Sequence, residues 1–266
     1  MAVQTAAPES GHTEPSTQRR DAWWLSPALF FILFTAFAIW ATFRAFENRY
    51  YHWDHYLTPF YSPYLPIHLS IGTYVISPAL YILVFPLSFR LTCYYYRKQI
   101  YRAYLADPPG CAVKEPQALH RARFKRYTGE RVLPFVLMNF HRYAFYAAVV
   151  FIVILWKDAI DAFFFTGPGG ATHPGVHLGT LIFLVNICLL TLYTFSCHSW
   201  RHLIGGGLDC YSCSLANRTR YGLWNRITAL NQQHGVWAMT SLVSVGLTDL
   251  YVRFVCLHPG IDFKIL

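Results

Sequence analysis

Five long apolar stretches constrain this chain more than any other feature. They run roughly over residues 24–43, 67–89, 134–156, 178–197 and 235–255. About 20 apolar residues in a helix cross a hydrocarbon core of roughly 30 Å. None of the five carries a run of charge. The first is no signal peptide, because it is too long, lacks a small-residue cleavage site and follows a polar leader. The expected fold is an all-α integral membrane protein, a five-transmembrane-helix bundle. Composition supports this. Charged residues make up 13% and hydrophobic residues 55% of the 266, against roughly 25% charged in a soluble domain. That excludes a disordered chain, a coiled coil, an ordinary soluble enzyme and a nucleic-acid binder.

The basic residues set the expected orientation. Two lie in the N-terminal tail, ten in the segment 90–131 and four in the segment 198–230. Two lie at 44–66, one at Lys157 and two toward the C-terminus, giving 16 against 5, with Arg142 left inside the third span. Lys and Arg accumulate on the cytoplasmic side. The N-terminus is therefore expected to be cytoplasmic and the C-terminus external. Residues 1–22, rich in Pro, Ser, Thr and Glu over 7–17, read as a disordered cytoplasmic tail. Residues 23–258 form one membrane domain, and 259–266 an external tail. The aromatic segment 50–64 reads as an interfacial belt.

Seven cysteines are present, at 93, 111, 188, 197, 210, 213 and 256. Those at 93, 111, 197, 210 and 213 fall at or near the cytoplasmic face, where a reducing environment disfavours structural disulfides. Cys188 and Cys256 read as structural. The densest cluster is C-H-S-W-R-H-L-I-G-G-G-L-D-C-Y-S-C, residues 197–213. His198 and His202, four apart, share a helix face, and Cys210 and Cys213 form a C-x-x-C pair. Two imidazoles and two thiolates suit zinc or a Rieske-type [2Fe–2S] cluster. Spacing alone leaves the thiolates open between Cys93 with Cys111 and Cys210 with Cys213, with Cys197 as a further candidate.

Ionisable residues within a span are functional hypotheses by default. His141, Arg142 and Tyr143, with His234 opening the fifth span, are candidates for binding a quinone and relaying protons to it. Alternatively, His141 and His234 are axial ligands of a b-type haem.

Several stretches together resemble a known family. They are F-R-L-T-C-Y-Y-Y-R-K-Q-I-Y-R-A-Y, D-P-P-G-C-A-V, R-Y-T-G-E-R-V-L-P-F-V-L-M-N-F-H-R-Y, S-C-H-S-W-R-H-L-I-G-G-G and L-N-Q-Q-H-G-V-W, with Y-L-T-P-F-Y-S-P and T-D-L-Y-V-R. In this order they resemble the membrane anchor of a haem-free bacterial succinate dehydrogenase (respiratory complex II). The resemblance implies a multi-pass subunit of the bacterial cytoplasmic membrane, in contact with lipid. A flavoprotein and an iron–sulfur subunit would sit on its cytoplasmic face. A Rieske-type [2Fe–2S] centre would replace haem and pass electrons to a quinone. The matching positions are Cys93, Cys111, His141, Cys197, His198, His202 and His234. No residue here would bind succinate, because that chemistry belongs to a partner chain. The expected iron ligands are His198 and His202 with Cys93 and Cys111. The alternatives are a b-type cytochrome subunit of another dehydrogenase, and a zinc-stapled transporter or scaffold.

Overall fold

The computed structural model describes residues 19–67, 69–113, 131, 133, 135–167 and 169–266. Residues 1–18 of the expected tail and 114–130 of the basic segment lie outside the described residues. Helix α1 is Leu25–Glu47. Two short hairpins follow, β1 (His52–Trp53) with β2 (Tyr56–Leu57) and β3 (Ser70–Ile71) with β4 (Tyr74–Val75). Then come α2 (Pro78–Ile82), α3 (Val84–Leu91) and α4 (Tyr94–Tyr104). A 3-10 turn at Phe135–Phe140 leads into α5 (His141–Asp161). Strands β5 (Phe164–Thr166) and β6 (Thr172–Pro174) form a third hairpin. Helices α6 (Leu178–Phe195), α7 (His198–Gly205), α8 (Leu215–Gln232) and α9 (His234–Leu257) complete the chain's regular structure, before a 3-10 turn at Pro259–Ile261.

The protein is mostly helical. Among the described residues four helices are long and apolar enough to cross a membrane: α1, α5 with its preceding turn, α6 and α9. The second apolar stretch differs from the expected 67–89 helix. Gly72 adopts φ +62°, a left-handed turn that glycine takes freely, and the chain folds back there as β3–β4. The helix begins only at Pro78, where the missing N–H costs nothing. Pro86 cannot donate to the carbonyl of Ile82, and the helix is broken near there into pieces of 5 and 8 residues. Together these span roughly 20 Å, well short of the core thickness.

The segment after α1 also departs from expectation. Instead of lying as a surface belt, Tyr56, Thr58, Phe60, Tyr61 and Ser62 are buried against the bundle. Tyr56 donates to Asp262 (3.0 Å) and Tyr61 to the Arg44 carbonyl (3.2 Å). Tyr251, the Gly179 N–H and His177 also converge on the Asp262 carboxylate, clamping the C-terminal segment.

Conversely, apolar side chains along α1 face outward, with Ile39 67% exposed. Such a surface suits lipid rather than water. Charge is buried at the end holding residues 44–62. Asp249 accepts from Arg253 (2.8 Å) and from the Trp40 indole (2.9 Å), and Arg253 also pairs with Glu47 (2.9 Å).

Candidate functional site

At the other end, four interruptions in the helices bring two thiols and two imidazoles together. Cys93 is the extended residue (φ −69°, ψ 127°) between α3 and α4. Cys197 plays the same part (φ −64°, ψ 143°) between α6 and α7. His141 is the first residue of α5, and His234 the first of α9 after the break at Gln233. Both cysteines precede helix N-termini, whose unpaired N–H groups and positive dipole favour an anionic sulfur.

The contacts form a crossed pattern. His141 Nε2 lies 3.2 Å from Cys197 Sγ, and His234 Nε2 lies 3.8 Å from Cys93 Sγ. The opposite nitrogen of each ring meets a hydroxyl: His141 Nδ1 is 2.9 Å from Thr92 Oγ1, and His234 Nδ1 is 2.7 Å from Ser196 Oγ. Each hydroxyl donates its own proton to a backbone carbonyl, Thr92 to Ser88 (2.7 Å) and Ser196 to Tyr193 (3.0 Å). Each oxygen is then left to accept from Nδ1–H. Both imidazoles therefore turn a bare Nε2 lone pair toward a sulfur. Metal-ligating histidines are oriented in this way, with one nitrogen fixed by an outer partner and the other free for the metal.

Aromatic packing fixes the rings. His141 stacks on Phe89 (centroids 5.0 Å apart) and His234 on Tyr193 (5.2 Å). Cys93 and Cys197 are buried. The Tyr193 hydroxyl and Trp237 Nε1 beside them are buried with no hydrogen-bond partner among the described residues. Among the described residues no three His, Cys, Asp or Glu converge on one metal-ion position; the four groups form two Cys–His pairs.

The other expected site residues sit elsewhere. His198 and His202 do share a helix face, with rings 4.6 Å apart. Both are exposed on α7, because that face of the short helix turns away from the bundle. His198 lies at the rim, where partial burial, then His202 and Arg201, hold its imidazole below the usual range. Cys111 is exposed on the loop after α4, where its carbonyl and sulfur accept from Arg19 and Arg102. Cys210 and Cys213 are joined in a disulfide, which removes both from the free thiols; their Cα atoms lie 5.8 Å apart, within bridging range. Arg142 and Tyr143 point outward from α5, Tyr143 being 67% exposed.

Residues 25–258 match the protein family described as actinobacterial succinate dehydrogenase subunit SdhC. The chain belongs to this family. It is thus a membrane-anchor subunit of succinate dehydrogenase and a multi-pass protein of the bacterial inner membrane. A chain of the Mycobacterium smegmatis Sdh1 complex in the apo form is 39% identical, with a TM-score of 0.79; the match covers 98% of this chain and 97% of that one. No curated protein matches.

For this SdhC family member, sequence reasoning missed Thr92 and Ser196, although each immediately precedes one of the two buried cysteines. It also missed Arg90. Arg90 bonds the Tyr96 hydroxyl, and its guanidinium lies 4.7 Å over the Tyr193 ring. It lies one residue past the expected second span and was counted with the basic segment 90–131.

Proposed function

We propose that this chain relays electrons from a soluble iron–sulfur subunit to a membrane quinone, through a Rieske-type [2Fe–2S] centre held by Cys93, Cys197, His141 and His234. The carrying observation is the crossed arrangement, in which both Nε2 lone pairs face thiols while both Nδ1–H groups are held by hydroxyls. A Rieske-type centre would take both thiolates on one iron and both imidazoles on the other, and the quartet supplies two of each. The unpartnered Tyr193 hydroxyl is an added donor beside the sulfurs. When bound, such a centre supplies one-electron transfer at a potential raised by its imidazole ligands.

The chain's own residues prepare that chemistry. Helix N-termini favour the thiolates, the hydroxyls fix the imidazole tautomers, and Phe89, Tyr193 and Trp200 keep water out. The ligand proposal thus moves from His198, His202 and Cys111 to His141, His234 and Cys197, because the first three are exposed and the last three meet in the interior.

The 16-to-5 bias in basic residues supports a cytoplasmic N-terminus and an external C-terminus. On that orientation the quartet would lie near the cytoplasmic face, where a flavoprotein and an iron–sulfur subunit would dock. On that flavoprotein, succinate would lose two electrons and two protons to give fumarate. A quinone takes up two electrons and two protons to give quinol, so the overall reaction balances.

Metal and sulfide analysis of the purified complex tests the reading. Wild type should contain two more irons and two more acid-labile sulfides than a complex carrying Cys93→Ser and Cys197→Ser. Equal contents in the two, zinc at this position, or a sharp reduced b-type α-band in wild type would contradict it.

A further inference from the structure

One motif that stands out in the sequence has no part in the relay: the C-x-x-C pair at residues 210–213. Cys210 and Cys213 are bridged on the loop between α7 and α8. That loop belongs to the segment 198–230, on the side that the basic-residue bias makes cytoplasmic. Thiols there are kept reduced, and the disulfides that do form are mostly transient, serving catalysis or redox sensing. A permanent staple is the least expected use of a bridge in this place.

The surroundings suit exchange with an incoming thiol. Cys213 is exposed and Cys210 half-buried, so the newcomer meets Cys213 first. Cys93 and Cys197, by contrast, are buried. Residues 198–232 carry four arginines, at 201, 218, 220 and 226, against one carboxylate, Asp209. Such a field attracts an anionic thiolate. Cys213 directly precedes Ser214, the N-cap of α8, whose hydroxyl accepts from the Asn217 N–H (3.1 Å). The remaining free N–H groups and the positive helix end favour a thiolate there once the bridge opens.

The loop is also held by contacts that do not involve sulfur. Tyr211, between the two cysteines, packs on Tyr221 of α8, with ring centroids 4.7 Å apart. Asn217 donates to the Cys210 carbonyl (2.9 Å), and Arg220 to the carbonyls of Ile204 (2.9 Å) and Gly206 (2.8 Å). These keep the two Cα atoms, 5.8 Å apart, within bridging range. Opening the bridge would therefore leave the second thiol in place to close it again.

We propose that Cys210 and Cys213 form a thiol–disulfide exchange site for low-molecular-weight thiols of the cytosol. An incoming thiolate attacks Cys213 Sγ. The Cys210–Cys213 bond breaks, a mixed disulfide forms on Cys213, and Cys210 leaves as a thiolate that takes a proton from water. A second small thiolate attacks the small-molecule sulfur of that mixed disulfide. It forms a free disulfide and releases the Cys213 thiolate, which is protonated in turn. Two small thiols thus become one disulfide, and the pair gains two electrons and two protons. The reverse sequence restores the bridge. The site goes beyond the relay and shares with it only the orientation in the membrane. Neither cysteine is a proposed ligand, so basal quinone reduction does not depend on the bridge.

Glutathione does not cross a bilayer, so it probes each face separately. Vesicles carrying the whole complex with its cytoplasmic face outward are equilibrated with graded ratios of reduced to oxidised glutathione, then alkylated, and the peptides are mapped by mass spectrometry. The peptide holding Cys210 and Cys213 should pass completely between the bridged and the doubly alkylated form, with the same ratio reached from either direction. Cys93 and Cys197 should stay unalkylated. In Cys210→Ser, oxidised glutathione should leave an adduct on Cys213 that persists for want of a resolving thiol. Succinate-driven dye reduction reports that this variant complex has assembled; if it has not, the wild-type titration still decides. A bridge that survives excess reduced glutathione, or two thiols that excess oxidised glutathione does not join, would overturn the exchange site and leave the membrane orientation standing. Exchange confined to vesicles of the opposite orientation would overturn the cytosolic site together with that orientation.

Discussion

The Thr92 hydroxyl lies 2.9 Å from His141 Nδ1 and turns the far nitrogen of that ring toward Cys197. Ser196, beside Cys197, does the same for His234, whose far nitrogen faces Cys93. The hydroxyl next to each cysteine thus orients the histidine that meets the other cysteine. This reciprocity ties α3–α4 to α5 and α6–α7 to α9, so the donors are set by four helix junctions at once.

Thr92→Val and Ser196→Ala should therefore weaken iron retention without touching a ligand. Outer partners of ligating histidines are typically worth 10–100-fold in metal affinity. Iron per complex after mild chelation should fall in both variants and recover in Thr92→Ser. Unchanged retention in all three would remove the orienting role.

The five cysteines near this end should divide cleanly. Cys93→Ser and Cys197→Ser should each abolish succinate-driven quinone reduction and lower iron content. Cys111→Ser, Cys210→Ser and Cys213→Ser should leave both near wild type, because those sulfurs are exposed or already paired. Loss of iron in Cys111→Ser would reinstate the exposed loop as a ligand source.

Asp249→Ala should destabilise the anchor strongly. It would leave Arg253, 3% exposed, with Glu47 alone of its two carboxylate partners. Removing one member of a buried pair costs about 3–5 kcal/mol. Asp249→Leu combined with Arg253→Met should recover much of the loss, since apolar replacement of a buried pair is often close to neutral. The Tm of the purified complex measures both. A single variant as stable as wild type would mean that Glu47 or water satisfies this charge.

Two glycines give opposite expectations. A Cβ at Gly179 would lie 2.5 Å from the Tyr56 ring, which is fully buried and cannot yield. Gly179→Ala should cost about 1–3 kcal/mol and loosen the C-terminal clamp, making the last residues more sensitive to protease. Gly222, exposed inside α8, would with a Cβ meet no atom of the described residues within 4 Å. Gly222→Ala should add about 0.5–1 kcal/mol. Equal behaviour of the two variants would contradict the packing described for Tyr56.

The long helices were legible because run length and lipid thickness are nearly the same statement for α1, α5, α6 and α9. The second stretch was not. Its residues are apolar enough to span, but Gly72 and Pro78 govern the backbone locally, and hydropathy does not register a hairpin. The burial of Tyr56 to Ser62 was hidden for a similar reason: aromatic residues suit an interface and a packed end equally well. The site was half legible. Cys93, Cys197, His141 and His234 all stood out at one membrane face, while the i, i+4 rule drew attention to His198 and His202. That rule correctly made their rings neighbours but does not say which way a helix face turns. The deciding contacts join residues up to 141 apart in sequence, and only the arrangement of helix junctions brings them together. Asp249 and Arg253 were readable as an i, i+4 pair inside a span, yet Arg253 was counted with the external tail.

The most direct test of the central claim is the EPR spectrum of the dithionite-reduced complex, in wild type and with His141→Ala plus His234→Ala. A [2Fe–2S] signal with the low average g-value of imidazole ligation should appear in wild type and vanish in the double variant, while the signals of the soluble subunit's clusters remain. Persistence of that signal in the double variant, or its loss in His198→Ala plus His202→Ala instead, would contradict the ligand set proposed for this anchor.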